Sequence, residues 1–507
     1  MLLFETLKCG PCRAARKGLA GATLALDAAT VSSLCLSLAK AACIMDAHSD
    51  GCDDGERVAT QPEVPPPQKE SISGRSSTCT FVLGFGAQLP FAVATLVLPW
   101  LNQAASRPPA APAILLAGLP SFLSAALSTS NAFSVLVVAR RVARARPVFT
   151  VVVPMLLCSA VLATASMAAF MDVSDTTALS GRCIVFAALP MAVALGSVAA
   201  VLSCGAASLA TTVHNGGLGL KFYSIGQSIA SFSTASISFY AAYSVMTGDS
   251  ELAPHAAATL FSAAITLVLC LGAYFALPRR ASSALSDVAT TQEAPRPCDV
   301  DSLTAPLLDG DDQVGDDDNS PVVEASAEQP TLRTADLRLY KISLFLTFFM
   351  TCAVYPGISS FLRPAGNFSW CSSLLVPATF VVFTGSDLVG RLVAAAVPKA
   401  TARPLLLLAI ARAALVPCIC MCNIRPPSGH WAAPRVFAGH NAWPFFWLAI
   451  AALSNGFITA SALSAGPSCR PIHRRGGVAT RMLAWLVGGV TTGSLFSIAL
   501  ALALQRL

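Results

Sequence analysis

The sequence predicts an all-α membrane protein with eleven transmembrane helices arranged as six and then five. Two compositional observations and one pattern predict it. Of 507 residues, 54% are apolar and 12% charged, and the mean hydropathy is +0.64; ordinary soluble domains carry about 25% charged residues. The chain also holds 33 glycines and 33 prolines, residues that membrane helices use more than soluble ones do. Finally, its apolar runs repeatedly reach the roughly 20 residues that cross a bilayer. A soluble enzyme and a disordered chain are excluded.

The runs fall at 81–101, 111–138, 147–171, 183–211, 222–245, 254–277, 340–362, 372–397, 402–423, 443–466 and 479–504. Residues 1–78 read as a loosely ordered tail, because Asp27 and Lys40 interrupt their mildly apolar part. Residues 79–277 form a first bundle of six helices, and 339–507 a second of five. Between them, 278–338 read as a disordered acidic loop. Residues 281–335 hold 12 Asp/Glu against Arg296 and Arg333, a net of −10 against the chain's +6, so everything else carries +16. Such a segment cannot bury enough surface to fold.

Basic residues beside the runs set the orientation. Twelve, among them Arg140, Lys221, Arg391, Arg403 and Arg481, collect on one side, and five, including Arg182, Arg363 and Arg425, on the other. The first side is predicted to be cytoplasmic, with the N-terminus and the acidic loop. An odd number of spans puts the C-terminus outside. The expected residence is the plasma membrane or an intracellular membrane, and the lipid bilayer is the expected partner. No soluble basic face is present for nucleic acid.

Most of the seventeen cysteines lie inside apolar runs and read as small hydrophobes. Cys9-Gly-Pro-Cys12 has redox-pair spacing but lacks the strand and helix that activate such a pair. Cys418, Cys420 and Cys422 lack a His or acid to complete a metal site. No P-loop, zinc-protease motif or nucleophile elbow occurs, so no enzyme activity, cofactor or metal is expected.

Ionisable residues inside a span are the functional candidates. In FTGSDLVGRLVAAAV of the eighth run, Asp387 and Arg391 stand four residues apart and share a helix face. They are expected to face a wet central chamber. Uncharged polar residues accompany them. Gln88 follows Gly84 and Gly86 and precedes Pro90, where either a broken helix opens on a cavity or the amide merely bonds between helices. Gln227 and Asn455, beside Gly226 and Gly456, read as helix-packing hydrogen bonds. Gly489 and Gly493 have the spacing of a close helix contact, first for packing and second for sliding motion.

These residues resemble the equilibrative nucleoside transporter family. FTGSDLVGR, IARAALVPCICMCNIRP, and HNAWPFF followed by LSNGF and GP are similar to its C-terminal motifs. LGFGAQLP, AGLPSFL and YSIGQSIASF are similar to its first, second and fifth spans. The resemblance covers about residues 80–505 and implies a major-facilitator-like fold of eleven spans working by alternating access. It implies that Asp387 accepts ribose hydroxyls and Arg391 donates to ribose or base oxygens. Gln88, Phe91, Thr384, Ser203, Tyr355 and Val490 are expected to complete the substrate lining. The chain departs from the family at three places. Phe91-Ala92 replaces Trp-Asn, Thr384 replaces an Asn and Ser203 replaces a Gln, so base preference does not carry over. The expected function is therefore transport of nucleosides, purine nucleosides or nucleobases included, either facilitative or with protons as a coupled partner. The alternatives are a carrier of another small polar solute and a non-transporting membrane receptor or scaffold.

Overall fold

The computed structural model describes residues 74–96, parts of 101–137, 147–174, 181–213, 217–247, 252–277, 334–425 with short gaps, 434–468 except 435, and 472–506. The N-terminal tail to residue 73, the loop from 278 to 333, most of the second run, Cys9 and Cys12 lie outside the described residues.

Among the described residues eleven helical segments follow one another. They are α1 Gly74–Leu96, α2 at 125–135, α3 Val153–Ser174 entered through a π turn at Val148–Val152, α4 Gly181–Val213, α5 Leu218–Met246 and α6 Leu252–Phe275. After the undescribed loop come α7 Thr334–Val354, α8 Ser369–Ala396, α9, α10 Ala442–Ser468 and α11 Ile472–Arg506. Helix α9 is built from Ala402–Ala411 and Leu415–Cys420 around a 3-10 turn at Arg412–Ala414. Among the described residues an isolated bridge, Leu362 with Ile424, stands in place of any sheet. Among the described residues nine helices are long and apolar enough to cross a membrane, and the chain is an integral, multi-pass membrane protein. Helix α5, with 29 residues, is about 43 Å long but more polar, since its serines face other helices instead of lipid.

Three helices begin six or seven residues before their apolar runs: α1 at Gly74, α7 at Thr334 and α11 at Ile472. Hydropathy misses polar first turns that pack against protein. Ser76 and Ser77, for instance, open α1 and are buried.

Glycines bring pairs of helices to backbone contact. A Cβ on Gly84 would strike the Tyr223 carbonyl, and one on Gly226 the Phe81 carbonyl, so α1 and α5 cross with no side chain between them. Gly390 meets the Leu453 carbonyl and Gly456 the Asp387 carbonyl, which closes α8 on α10. Gly489 and Gly493 lie against the carbonyls of Phe345 and Phe349, which does the same for α11 on α7. Lipid offers little hydrophobic drive for helix association, so such close packing is a main source of cohesion.

The apolar core is arranged differently at the two ends of the molecule. At the end bearing Lys221, here the basic end, one cluster joins both halves. It contains Leu202 and Leu220 from the first six helices together with Leu344, Leu405, Ile458 and Met482 from the last five. A smaller cluster there sets Phe81, Phe222 and Ile225 against Leu388 and Leu392. At the opposite end, where Trp443, Phe446 and Trp447 group together, the halves have separate cores. Leu89, Leu162 and Leu260 belong to one, and Ile358, Leu362 and Leu448 to the other.

Candidate functional site

Asp387 and Arg391 lie one turn apart on α8, and their side chains point at the seam between the halves. Arg391 Nε donates to Asp387 Oδ2 at 3.0 Å. Ser228 Oγ on α5 donates to the same oxygen at 2.5 Å, and Asn455 Nδ2 on α10 donates to Oδ1 at 2.7 Å. Arg391 Nη1 donates to the Ser224 carbonyl at 2.8 Å, to its hydroxyl at 2.9 Å and to Gln227 Oε1 at 3.4 Å. Gln227 then donates to Tyr223 Oη at 3.1 Å, and that hydroxyl donates to the Ser203 carbonyl on α4 at 3.2 Å. Asp387 is only 6% exposed and Arg391 8%.

Local sequence explains the placement. On α5, Ser224, Gln227 and Ser228 fall at helical spacings that share one face, and that face turns toward α8 because Gly226 and its partner Gly84 draw α5 onto α1. On α8, Gly390 and the opposing Gly456 of α10 bring Asn455 within reach of the carboxylate. A buried acid with donors on both oxygens and a guanidinium alongside is fully satisfied by the protein; removing one partner of such a pair costs about 3–5 kcal/mol.

A second arginine extends the network. Arg412, 3% exposed, donates through Nη1 to the Ala451 carbonyl and Ser454 Oγ, both at 2.6 Å, and through Nη2 to Thr351 Oγ1 at 2.5 Å. Thr351 Oγ1 lies 3.0 Å from Asn455 Oδ1 as donor. Beside this arginine, Thr351, Phe383, Ile419 and Leu448 line a cavity with room for about one water.

The structure thus brings Asp387, Arg391, Gln227, Asn455 and the Ser203 backbone together. Tyr355 lies close, stacked on Phe383 with ring centroids 3.9 Å apart. The other expected lining residues lie apart from this network. Phe91 packs on the core of the first half away from the basic end. Thr384 turns its hydroxyl back to the Phe380 carbonyl at 2.8 Å. Gln88 on α1 and Val490 on α11 are half-buried, and no hydrogen bond joins Gln88 to the network among the described residues. In this conformation Ser228 of α5 covers one oxygen of the Asp387 carboxylate, and Ser224 binds the neighbouring Arg391.

Sequence reasoning overlooked Ser224, Ser228, Tyr223, Thr351 and Arg412 as site residues. For Arg412 a signal existed, an arginine in the middle of an apolar run. Tyr223 and the serines lie in YSIGQSIASF, the stretch similar to the family's fifth span; for the threonine no signal existed, because such hydroxyls are common in membrane helices and mostly bond to their own backbone.

A family model described as nucleoside transporter matches residues 191–502. The chain belongs to the nucleoside transporter family. It is similar to Equilibrative nucleoside transporter 3 of Rattus norvegicus, 28% identical over 264 residues, or 49% of this chain and 52% of that protein. Equilibrative nucleoside transporter 1 of Homo sapiens is 27% identical over 187 residues, 34% of this chain and 40% of that one. This family member spans about half the length, or less, of those curated relatives. Among solved structures, the human organic anion transporter MFSD10 aligns with a TM-score of 0.49 at 15% identity, covering 85% of this chain and 95% of that chain. The proton:xylose symporter XylE aligns at 0.47 and 11% identity, with the same coverages.

Proposed function

We propose that the protein carries nucleosides across a membrane by alternating access, with Asp387 and Arg391 as its polar recognition pair. One observation carries this reading: the pair sits at the seam of two helical halves, and its partners come from both, Ser224, Ser228 and Gln227 on one side and Asn455 on the other. A ribose hydroxyl is chemically equivalent to Ser228 Oγ as a donor to Asp387, and a carbonyl or ring oxygen is equivalent to the Ser224 acceptors of Arg391. A solute that replaces these serines pries the halves apart at no net loss of hydrogen bonds. That is how binding energy from a solute becomes motion.

The basic end faces the cytoplasm in this reading, by the excess of Lys and Arg on that side. The shared core then seals the inner end, the separate cores leave the outer end divisible, and the conformation is outward-facing. Rocking the halves about the seam would reverse this. In this reading the segment that joins α6 to α7 lies on the cytoplasmic side, between one bundle that begins with α1 and another that begins with α7 at Thr334. The residence proposed is the plasma membrane.

Uptake of radiolabelled purine and pyrimidine nucleosides and nucleobases into proteoliposomes tests the reading. Saturable flux of at least one nucleoside is expected; no saturable nucleoside flux overturns it. A second reading, a carrier of another small polar solute, draws on one observation: Thr384 spends its hydroxyl on its own helix and Phe91 packs, partly buried, against the core of the first half, so both groups are engaged elsewhere. Competition by non-nucleoside polyols without competition by nucleosides would favour it.

A further inference from the structure

Arg412 is a buried cation that the transport reading leaves unused, and it belongs wholly to the second half of the chain. It sits on the 3-10 turn that interrupts α9, and its bonds go to α7 and α10 of the same half. Among the described residues three charged side chains are buried: Asp387, Arg391 and Arg412. Asp387 and Arg391 pair directly. Arg412 is therefore the surplus, a positive charge deep in a bundle where a guanidinium is expensive.

Its hydrogen bonds do not remove that charge. The N–H groups of Arg412 donate to the Ala451 carbonyl, Ser454 Oγ and Thr351 Oγ1, all of them neutral acceptors, and Nε is buried with no partner. Beside the guanidinium lies the cavity bounded by Thr351 and Phe383, with room for about one water. Its lining decides what can fill it. Val354, Phe383, Val416, Ile419 and Leu448 are apolar, and Thr351 and Arg412 supply its only polar side chains. A water there would accept from Arg412, but both its hydrogens would need acceptors. The Ala451 carbonyl already receives Arg412 Nη1 and lies within reach of Ser454 Oγ at 3.0 Å, and Thr351 Oγ1 has one lone pair taken by Nη2. A buried water typically makes about three hydrogen bonds, which is more than these walls supply.

An anion has different needs. It only accepts, so it leaves no hydrogen unmet, and its charge cancels the surplus. Carboxylates and phosphates are too large for the space. What fits is a single monatomic, monovalent ion that gives up its hydration readily, and Met350, an unbranched and adaptable neighbour, yields the little extra room that chloride needs over water. We propose that the cavity beside Arg412 is a halide site, in which a chloride neutralises the guanidinium and ties α7, α9 and α10 together. The site lies within one half of the molecule, away from the seam, so it does not depend on which solute is carried.

Thermal unfolding of the purified full chain in detergent tests it, with chloride exchanged for gluconate at constant ionic strength. Chloride should raise the apparent midpoint saturably, by about 2–4 °C, because an ion that binds only the folded state stabilises it by mass action. Bromide should do the same, and sulfate, larger and doubly charged, should not. Arg412→Gln should abolish the chloride dependence. Ala451→Val keeps the guanidinium but fills the cavity with side chain; it should abolish the dependence as well, and it serves if Arg412→Gln does not fold. A midpoint identical in chloride and gluconate overturns the proposal. So does a chloride dependence that survives in either folded variant, since the ion would then sit elsewhere. Nucleoside flux forms no part of the readout, so the halide site and the transport reading stand or fall separately.

Discussion

The two ends of the molecule are held together by different means. At the basic end Leu202, Ile458 and Met482 share one apolar cluster, so the first six and last five helices bury surface against each other. At the aromatic end Leu162 and Leu448 lie in separate clusters, each wholly within its own half. A two-part machine that must open alternately needs at least one end whose apolar burial survives separation. Here the aromatic end has that property in the conformation described. The basic end does not, and parting it as the proposed cycle requires would expose apolar surface at roughly 25 cal/mol per Å2, which only compensating contacts elsewhere can offset.

The largest effect is expected from the polar seam that adjoins the shared core. Asp387→Ala leaves Arg391 without its acid, and nucleoside flux normalised to membrane-inserted protein should fall about a hundredfold or more; near-normal flux would place the seam outside the transport cycle. A sharper contrast comes from two fully buried residues on α10, ten positions apart. Leu448→Ala and Ile458→Ala should each cost about 2–5 kcal/mol. Hydrogen exchange should rise only in α7 to α10 for Leu448→Ala, but also in α4 and α5 for Ile458→Ala. Equal exchange patterns would break the distinction between the ends.

Gly217 offers a more local probe. It opens α5 with φ +86°, and a Cβ there would strike the Ser464 carbonyl of α10. Gly217→Val should loosen the basic end by about 1–3 kcal/mol, read as increased labelling of a cysteine placed at Ser224 by a thiol reagent. Unchanged labelling would mean that the two helices part without cost there. The smallest effect belongs to Lys221, half-buried, whose Nζ donates to the Ala395 carbonyl at 3.3 Å. Lys221→Met should change flux only a few-fold, as one long hydrogen bond near the surface is worth about 0.5–1.5 kcal/mol.

Much of this architecture was legible in the chain. Apolar length marked the helices, because lipid permits a spanning backbone only when its polar groups are satisfied internally; it missed their polar first turns. The spacing of Asp387 and Arg391 foretold that they pair, since residues four apart on a helix are neighbours. The hydroxyls that answer them were not singled out: Ser224 and Ser228 lie in the stretch similar to the family's fifth span, but residue type alone does not separate them from Ser236, which bonds its own helix.

What the sequence determined by itself was therefore local: which segments are helical, which are apolar enough to span, and which two charged side chains share a face. Those properties depend on neighbours within a few residues. Only the tertiary structure decided that α5 of the first half closes on α8 of the second, that Arg412 reaches Asp387 through two intervening side chains, and that one end of the molecule has a single core while the other has two. Each depends on how closely helices far apart in the chain approach one another, and that distance is set by glycine contacts and side-chain fit across the bundle, which apolar periodicity along the chain does not encode.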